Sequence, residues 1–257
     1  MRLSKKRRNT AKRKRVMKGG IKNDLMKSID NNQFNESLPI QLIQQLIQEN
    51  PNDIGFVDID SGNTALIMAI LYQMKNVALA LIKSRHSKPE IVSHGKTALM
   101  YACSFGMNDV ALELIETGHS KPEQVDLNGG TALMMACSYN MSDVALALIN
   151  TGHSNPGQFD SGGYTALIIA CSNGMTDVAK ALIATEESNP EQINEDGNSA
   201  LMIMARQKEI SDEVILAINN AINDAINNHV NPGQALSAAG GKTKKNKKKR
   251  KGKTKKR

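Results

Sequence analysis

The stretch Gly95-Lys-Thr-Ala-Leu-Met-Tyr-Ala-Cys-Ser-Phe-Gly-Met-Asn-Asp-Val-Ala-Leu-Glu-Leu-Ile-Glu-Thr-Gly-His-Ser-Lys-Pro122 returns, little changed, as Gly129-Gly-Thr-Ala-Leu-Met-Met-Ala-Cys-Ser-Tyr-Asn-Met-Ser-Asp-Val-Ala-Leu-Ala-Leu-Ile-Asn-Thr-Gly-His-Ser-Asn-Pro156. Outward from these copies the register continues. Thr-Ala-Leu begins at Thr64, Thr97, Thr131 and Thr165, and Ser-Ala-Leu at Ser199, a spacing of 33 and then 34 residues. Gly62, Gly95, Gly129, Gly163 and Gly197 stand two residues before these positions. Val77, Val110, Val144 and Val178 follow them by thirteen, and Pro89, Pro122, Pro156 and Pro190 by twenty-five. So many columns in one phase define an internal repeat, and a period of this size means a solenoid or an array.

Each column has a physical reading. Glycine before Thr supplies the positive φ of a tight turn. Thr then opens a short helix with apolar residues on one face, as over Thr97 to Phe105. Asn108, Ser142 and Thr176 are expected to cap a second helix, with Asp109, Asp143 and Asp177 in its first turn against the helix dipole. Gly118 and Gly152 suit the left-handed residue that closes this helix, and the proline beyond prevents its continuation. Arg85 and Glu186 replace that glycine in the flanking units, at a cost of about 1 kcal/mol each if the left-handed conformation is kept. Helices of nine or ten residues are marginal alone in water. They must stack on copies of themselves to bury their apolar faces.

A glycine turn, a Thr-x-Leu helix start, paired antiparallel helices and this period resemble ankyrin repeats. The resemblance implies an all-α solenoid. Its likeness covers residues 59 to about 226, with five recognisable units, and Pro39 to Gln48 has the spacing of a second helix belonging to a degenerate capping repeat. The expected organisation is a basic arm over 1–23, a capping repeat over 24–58, the repeat domain over 59–228 and a basic tail over 229–257. A last helix with Val214, Ile215, Ile218, Ile222 and Ile226 on one stripe would close the stack. Ala98 and its equivalents replace the family's usual Pro, and Ile67, Met100, Met134, Ile168 and Met202 replace its usual His, so the polar tie from that His to Thr should be missing. The drifted Lys- and Asn-rich style also resembles the ankyrin-repeat proteins of large DNA viruses.

Charge is sharply partitioned. Residues 1–22 hold eleven basic groups and 242–257 hold twelve, with no Asp or Glu in either; the rest of the chain holds ten basic residues and all 25 acidic ones. A net charge of +8 is therefore +23 on two arms and −15 on the body between them. Both arms, almost without apolar residues, are expected to be disordered when free. Trp is absent and Phe and Tyr number four each against thirteen Met, so the core must be aliphatic. Three Cys and no apolar leader argue against a secreted disulfide framework. No run approaches the roughly eighteen apolar residues that span a bilayer.

Two further columns carry residues capable of chemistry. Cys103, Cys137 and Cys171 share one column where the family carries a small buried Ala. Stacked helices lie about 8 to 10 Å apart, beyond the roughly 7 Å between Cα atoms that a disulfide bridges, so packing is their expected role. His86, His119 and His153 form a second column. Zinc ligands about 2 Å from one metal would have to converge across a full repeat step, which favours rings packed at the loop and no metal. Gly129-Gly130 and Gly162-Gly163 lack the Lys-Ser/Thr of a phosphate loop. No nucleophile with its base and no carboxylate pair emerges, so neither enzyme activity nor a cofactor is expected.

The resemblance places turn tips and the eighth position after Thr on the concave, partner-gripping surface. Those positions hold Tyr72, Phe105, Tyr139, Asn173 and Gln207, with Lys96 and Tyr164 at the tips. Exposed aromatics are what binding hot spots are made of, so Tyr72, Phe105, Tyr139 and Tyr164 form the expected contact ladder for a protein partner; covering the first helix is the alternative role. The clusters Lys5, Lys6, Arg7, Arg8 and Lys12, Arg13, Lys14, Arg15, echoed by Lys247, Lys248, Lys249 and Arg250, read as nuclear import signals, sequence-blind phosphate contacts or solubilising tails. They could also fold back on the acidic body. The expectation is a monomeric, intracellular, non-enzymatic interaction module with a protein partner. A nucleic-acid-binding or packaging protein acting through its tails is the competing class.

Overall fold

The computed structural model describes residues 24–31 and 36–206, together with the isolated helical positions 216, 219, 220 and 223. Helix α1 spans residues 24–31 and α2 spans Ser37–Glu49, followed by a 3-10 turn at Pro51–Gly55. Four helix pairs follow: α3 (Ala65–Leu71) with α4 (Lys75–Lys83), α5 (Ala98–Ser104) with α6 (Asn108–Glu116), α7 (Ala132–Ser138) with α8 (Ser142–Asn150), and α9 (Ala166–Ser172) with α10 (Thr176–Ala184). Helix α11 (Ala200–Arg206) opens the next unit. The stripe from Val214 to Ile226 lies outside the described residues.

Every first helix from α3 to α9 starts on a threonine that the stack has swallowed. Thr64, Thr97, Thr131 and Thr165 are fully buried, and their Oγ1 atoms accept hydrogen bonds from the amides of Ile67, Met100, Met134 and Ile168 at 3.1 to 3.2 Å. Threonine thus does locally what the missing histidine would have supported. Tight turns in front of it use Gly62, Gly95, Gly129, Gly163 and Gly197 at φ of 68 to 83°. In the second unit the turn is flanked by a short antiparallel pair, β1 (Val92–Ser93) and β2 (Lys96–Thr97), with Val92 opposite Thr97.

First helices α3, α5, α7 and α9 pack in one layer, second helices α4, α6, α8 and α10 in another. Small side chains at Ala69, Ala102, Ala136 and Ala170, all fully buried, let the first helices approach. Leu66, Leu99, Leu133 and Leu167 and the Val and Leu columns of the second helices fill the space between the layers. The result is one continuous aliphatic core from Leu25 to Met204.

Second helices begin one residue earlier than the sequence implies. Asn108, Ser142 and Thr176 are the first helical residues, and Met107, Met141 and Met175 hold the capping position without a side-chain cap bond. Burial decides this register: Met74, Met141 and Met175 are drawn into the core. Burying such a side chain is worth about 1.5–3 kcal/mol, against about 1 kcal/mol for a polar cap. Asp109, Asp143 and Asp177 do lie in the first turns. At the far ends Gly118 and Gly152 are left-handed, and Arg85 and Glu186 keep the same conformation at φ of 59° and 60°.

Two glycines separate turn strain from packing. Gly106 has φ of 64° and open space where a Cβ would stand, whereas at Gly129, φ 83°, a Cβ would lie 2.9 Å from the Phe159 carbonyl oxygen. Gly106→Ala is expected to cost about 1 kcal/mol and Gly129→Ala at least about twice that, read from urea denaturation of the full chain. Equal costs would mean that successive hairpins do not approach this closely.

Candidate binding groove

The hairpin tips are built by a residue type that the repeat columns do not reveal. Asp126 Oδ1 accepts from the amides of Asn128 and Gly130 at 3.0 and 2.9 Å, and Asp160 Oδ1 from Gly162 and Tyr164 at 3.0 and 2.9 Å. Asn194 does the same for Asn198, and Asp58 accepts from the amide and hydroxyl of Ser61, which hold its carboxyl below its usual range. Acceptors of this kind fold the backbone into a turn on their own. Their column is hidden by a shift in register: Asp58 lies six residues before its Thr, Asp126 and Asp160 five, and the second unit has Ser93 instead. Tips are then sewn together, Ser161 N donating to Asn128 O at 2.7 Å and Glu195 N to Gly162 O at 2.8 Å.

Beside this edge the first helices turn one face outward. Positions four, seven and eight residues after Thr share that face, as helical periodicity requires. The fourth-position row, Met68, Tyr101, Met135, Ile169 and Ile203, is half-buried against the core. From α3 to α9 none of these positions carries a charge. The row is tied across the structure, with Tyr101 Oη donating to Ser93 O at 3.2 Å and Ser104 Oγ to Met135 Sδ at 3.3 Å. Its N-terminal end opens into a cleft of about 400 Å³ between Met26 and Asp30 of α1, Asp58 and Met68, Leu71 and Tyr72.

The four aromatics of the expected ladder divide into two pairs. Phe105 and Tyr139 are 38% and 56% exposed on this face. Tyr72 and Tyr164 are half-buried, with their hydroxyls tied to carboxylates at the surface, Tyr72 Oη donating to Asp30 and Tyr164 Oη to Asp196 at 2.6 Å, and both phenols are pushed above their ordinary pKa by those bonds. Asn173 lies on the same face, and its Nδ2 donates to Cys137 O at 2.9 Å. Lys96 sits at its tip 3.8 Å from Asp126. Gln207 and every arm residue from Lys5 to Arg15 and Lys247 to Arg250 lie outside the described residues.

The histidine column lies on the outer side of the loops. His119 and His153 are exposed and His86 half-buried. His119 Nδ1 donates back to Thr117 O at 2.6 Å, as His86 does to Ser84 O, which lays the rings over the outside of the loop. Ser87, Ser120, Ser154 and Ser188 fill the interior instead, each 2% exposed or less. A larger cavity, about 500 Å³, lies here against Arg85, His86, Glu116 and His119. Its walls mix both signs of charge, and among the described residues no cluster of His, Cys, Asp or Glu is placed to hold a metal ion.

Cys103, Cys137 and Cys171 are buried free thiols on α5, α7 and α9. Burial pushes Cys103 and Cys171 up to about 12 and Cys137 higher still. Among the described residues no helix is long and apolar enough to cross a membrane.

The model for ankyrin repeats (3 copies) matches residues 33–124 and 106–192, more than half of the chain. The chain belongs to the ankyrin-repeat family. Ankyrin repeats are in general protein–protein interaction modules. Among solved structures, the crystal structure of EF0377, an ankyrin repeat protein, superposes at a TM-score of 0.57 with 20% identity, covering 77% of this chain and 96% of that one. No curated protein matches the chain.

The ankyrin core makes a chemical prediction for its thiols. In the native chain at pH 8 the three cysteines should be silent to a thiol-specific disulfide reagent, and all three should react in guanidinium chloride. Native thiols keep protons that unfolded ones release above about pH 8.5. Their effect on stability is therefore nil below that pH and a decline as pH rises towards the native values. Fast labelling of the folded chain would contradict the buried column.

Proposed function

We propose that this ankyrin stack is a non-enzymatic interaction module whose concave groove holds a segment of a partner protein. One observation carries the reading: an uncharged row of Met, Tyr and Ile, half-buried against the core, that presents Phe105 and Tyr139 to solvent. Aromatic side chains fixed on helices lose little entropy on binding and bring large contact areas. Asn173 and Lys96 border the same surface, and Gln207 follows α11. Tyr72, at the cleft that ends the groove, and Tyr164, at a hairpin tip, complete the ladder, each half-buried and held by a carboxylate.

The arms have a separate role in this proposal. They direct an intracellular protein to the nucleus through an import receptor, or hold it to nucleic acid without reading sequence; a viral origin would make a host nucleus or a virion the destination. A second reading makes the tails the whole function, with the stack as spacer. The +23 on the arms favours it, while the −15 on the body speaks against nucleic acid touching the stack. Salt separates the two, because phosphate binding weakens with a log–log slope of about −0.9 per neutralised phosphate.

Full-length wild type and Phe105→Ala/Tyr139→Ala chains of equal thermal stability should be compared as baits after nuclease treatment. A groove partner is expected to bind the double variant at least about tenfold more weakly, with weak salt dependence for the wild type. An identical set of proteins on both baits, all released by moderate salt, would instead favour the tails.

A further inference from the structure

The groove's uncharged floor is framed mainly by carboxylates, with Lys96 at one tip and Lys75 at the start of α4 set against Asp126 and Asp109. On the tip side stand Asp60, Asp160 and Asp196, and at the starts of the second helices Asp109, Asp143 and Asp177. Asp109 pairs with Lys75, but Asp143 and Asp177 make no ion pair among the described residues. Such a frame suits a segment that carries apolar side chains for the floor and cations for both rims. The chain itself contains one. Lys12-Arg-Lys-Arg-Val-Met-Lys-Gly-Gly-Ile-Lys22 puts Val16, Met17 and Ile21 among six positive charges, and it ends two residues before α1 begins.

We propose that the groove of the resting chain is occupied by its own residues 12–22, with Val16, Met17 and Ile21 on the Met and Tyr floor and the Lys and Arg side chains towards the rims. The proposal rests on the reading of the groove as the binding surface. Position is the first argument. Met26, Lys27 and Asp30 of α1 line the cleft at the groove's N-terminal end, so the arm leaves the described structure beside the surface it would fill. Reach is sufficient, since the twelve residues 12–23 span about 40 Å when extended, against roughly 40 Å for four repeat steps of about 10 Å. A tether this short gives an effective concentration in the range of about 1 mM, so even a weak fit is populated. Composition is the second argument, and it discriminates between the arms. Residues 242–257 carry twelve cations and no apolar side chain, so they match the rims but have nothing for the floor. A partner would then compete with residues 12–22 for the groove and should share their chemistry, apolar residues flanked by Lys or Arg.

Photo-crosslinking in the full-length chain tests this. Benzoylphenylalanine replaces Tyr139 or, in a second chain, the neighbouring exposed Ser138, and the products are mapped by mass spectrometry after irradiation in low salt. Crosslinks within one chain to residues 12–22 are expected, reduced about threefold or more in 0.5 M salt, where the screening length falls below about 5 Å, and lost with Val16→Asp/Met17→Asp. Crosslinks only to residues 242–257, a covalent dimer formed with a second copy, or no crosslink from either position would overturn it. If crosslinks are absent while Phe105→Ala/Tyr139→Ala still weakens an external partner, the groove stands and self-occupancy alone fails.

Discussion

Helices α3, α5, α7 and α9, at seven residues each, close too few backbone hydrogen bonds to offset the cost of nucleating a helix, and the rest of the molecule follows from the need to stack them. The stack needs small residues where first helices meet, which Ala102 with Cys103, and Ala136 with Cys137, provide. Each start must also satisfy its free amides while leaving water, which is why Thr97 and Thr131 are buried and bonded to the amides three residues on. Positive φ is required before each start, and glycine supplies it. One face of every first helix is left over, because core contacts use only the sides turned to the neighbouring repeats and the second helices. That leftover face is the groove.

Most of the fold was legible because stacking imposes the same demands at the same phase in every unit. The Thr, Gly, Val and Leu columns are one physical requirement written four or five times. What was misread is equally physical. Asn108, Ser142 and Thr176 look like caps by residue type, but each helix starts one residue earlier, behind a Met that is buried at Met141 and Met175 and half-buried at Met107. His119 lies against its loop, as its column implies, while Ser120 and Ser154, one residue after His119 and His153, take the interior. The Asp126 and Asp160 turns escaped because tip length varies by a residue or two between units, which breaks the phase that made the helices readable. The exposure of Phe105 and Tyr139 on this face follows from their position in the repeat. The engagement of Tyr72 with Asp30 and of Tyr164 with Asp196 does not, since each spans more than thirty residues and depends on three-dimensional neighbours.

The partition of charge gains meaning from this geometry. Acidic residues sit where the repeat needs them for its own sake: at tips, where Asp58 and Asp160 fold turns, and at helix starts, where Asp109, Asp143 and Asp177 oppose the helix dipole. Both places border the groove. The acidic rim thus has a structural origin, while 23 of the chain's 33 basic residues lie on its arms.

Native-state hydrogen exchange on the full chain tests the stacking constraint most directly. If no helix pair stands alone, the amides of α5 and α7 should exchange through one opening of common free energy, above that of α11 at the end of the described stack. Exchange of α7 while α5 remains fully protected, with each pair showing an opening free energy of its own, would contradict the account.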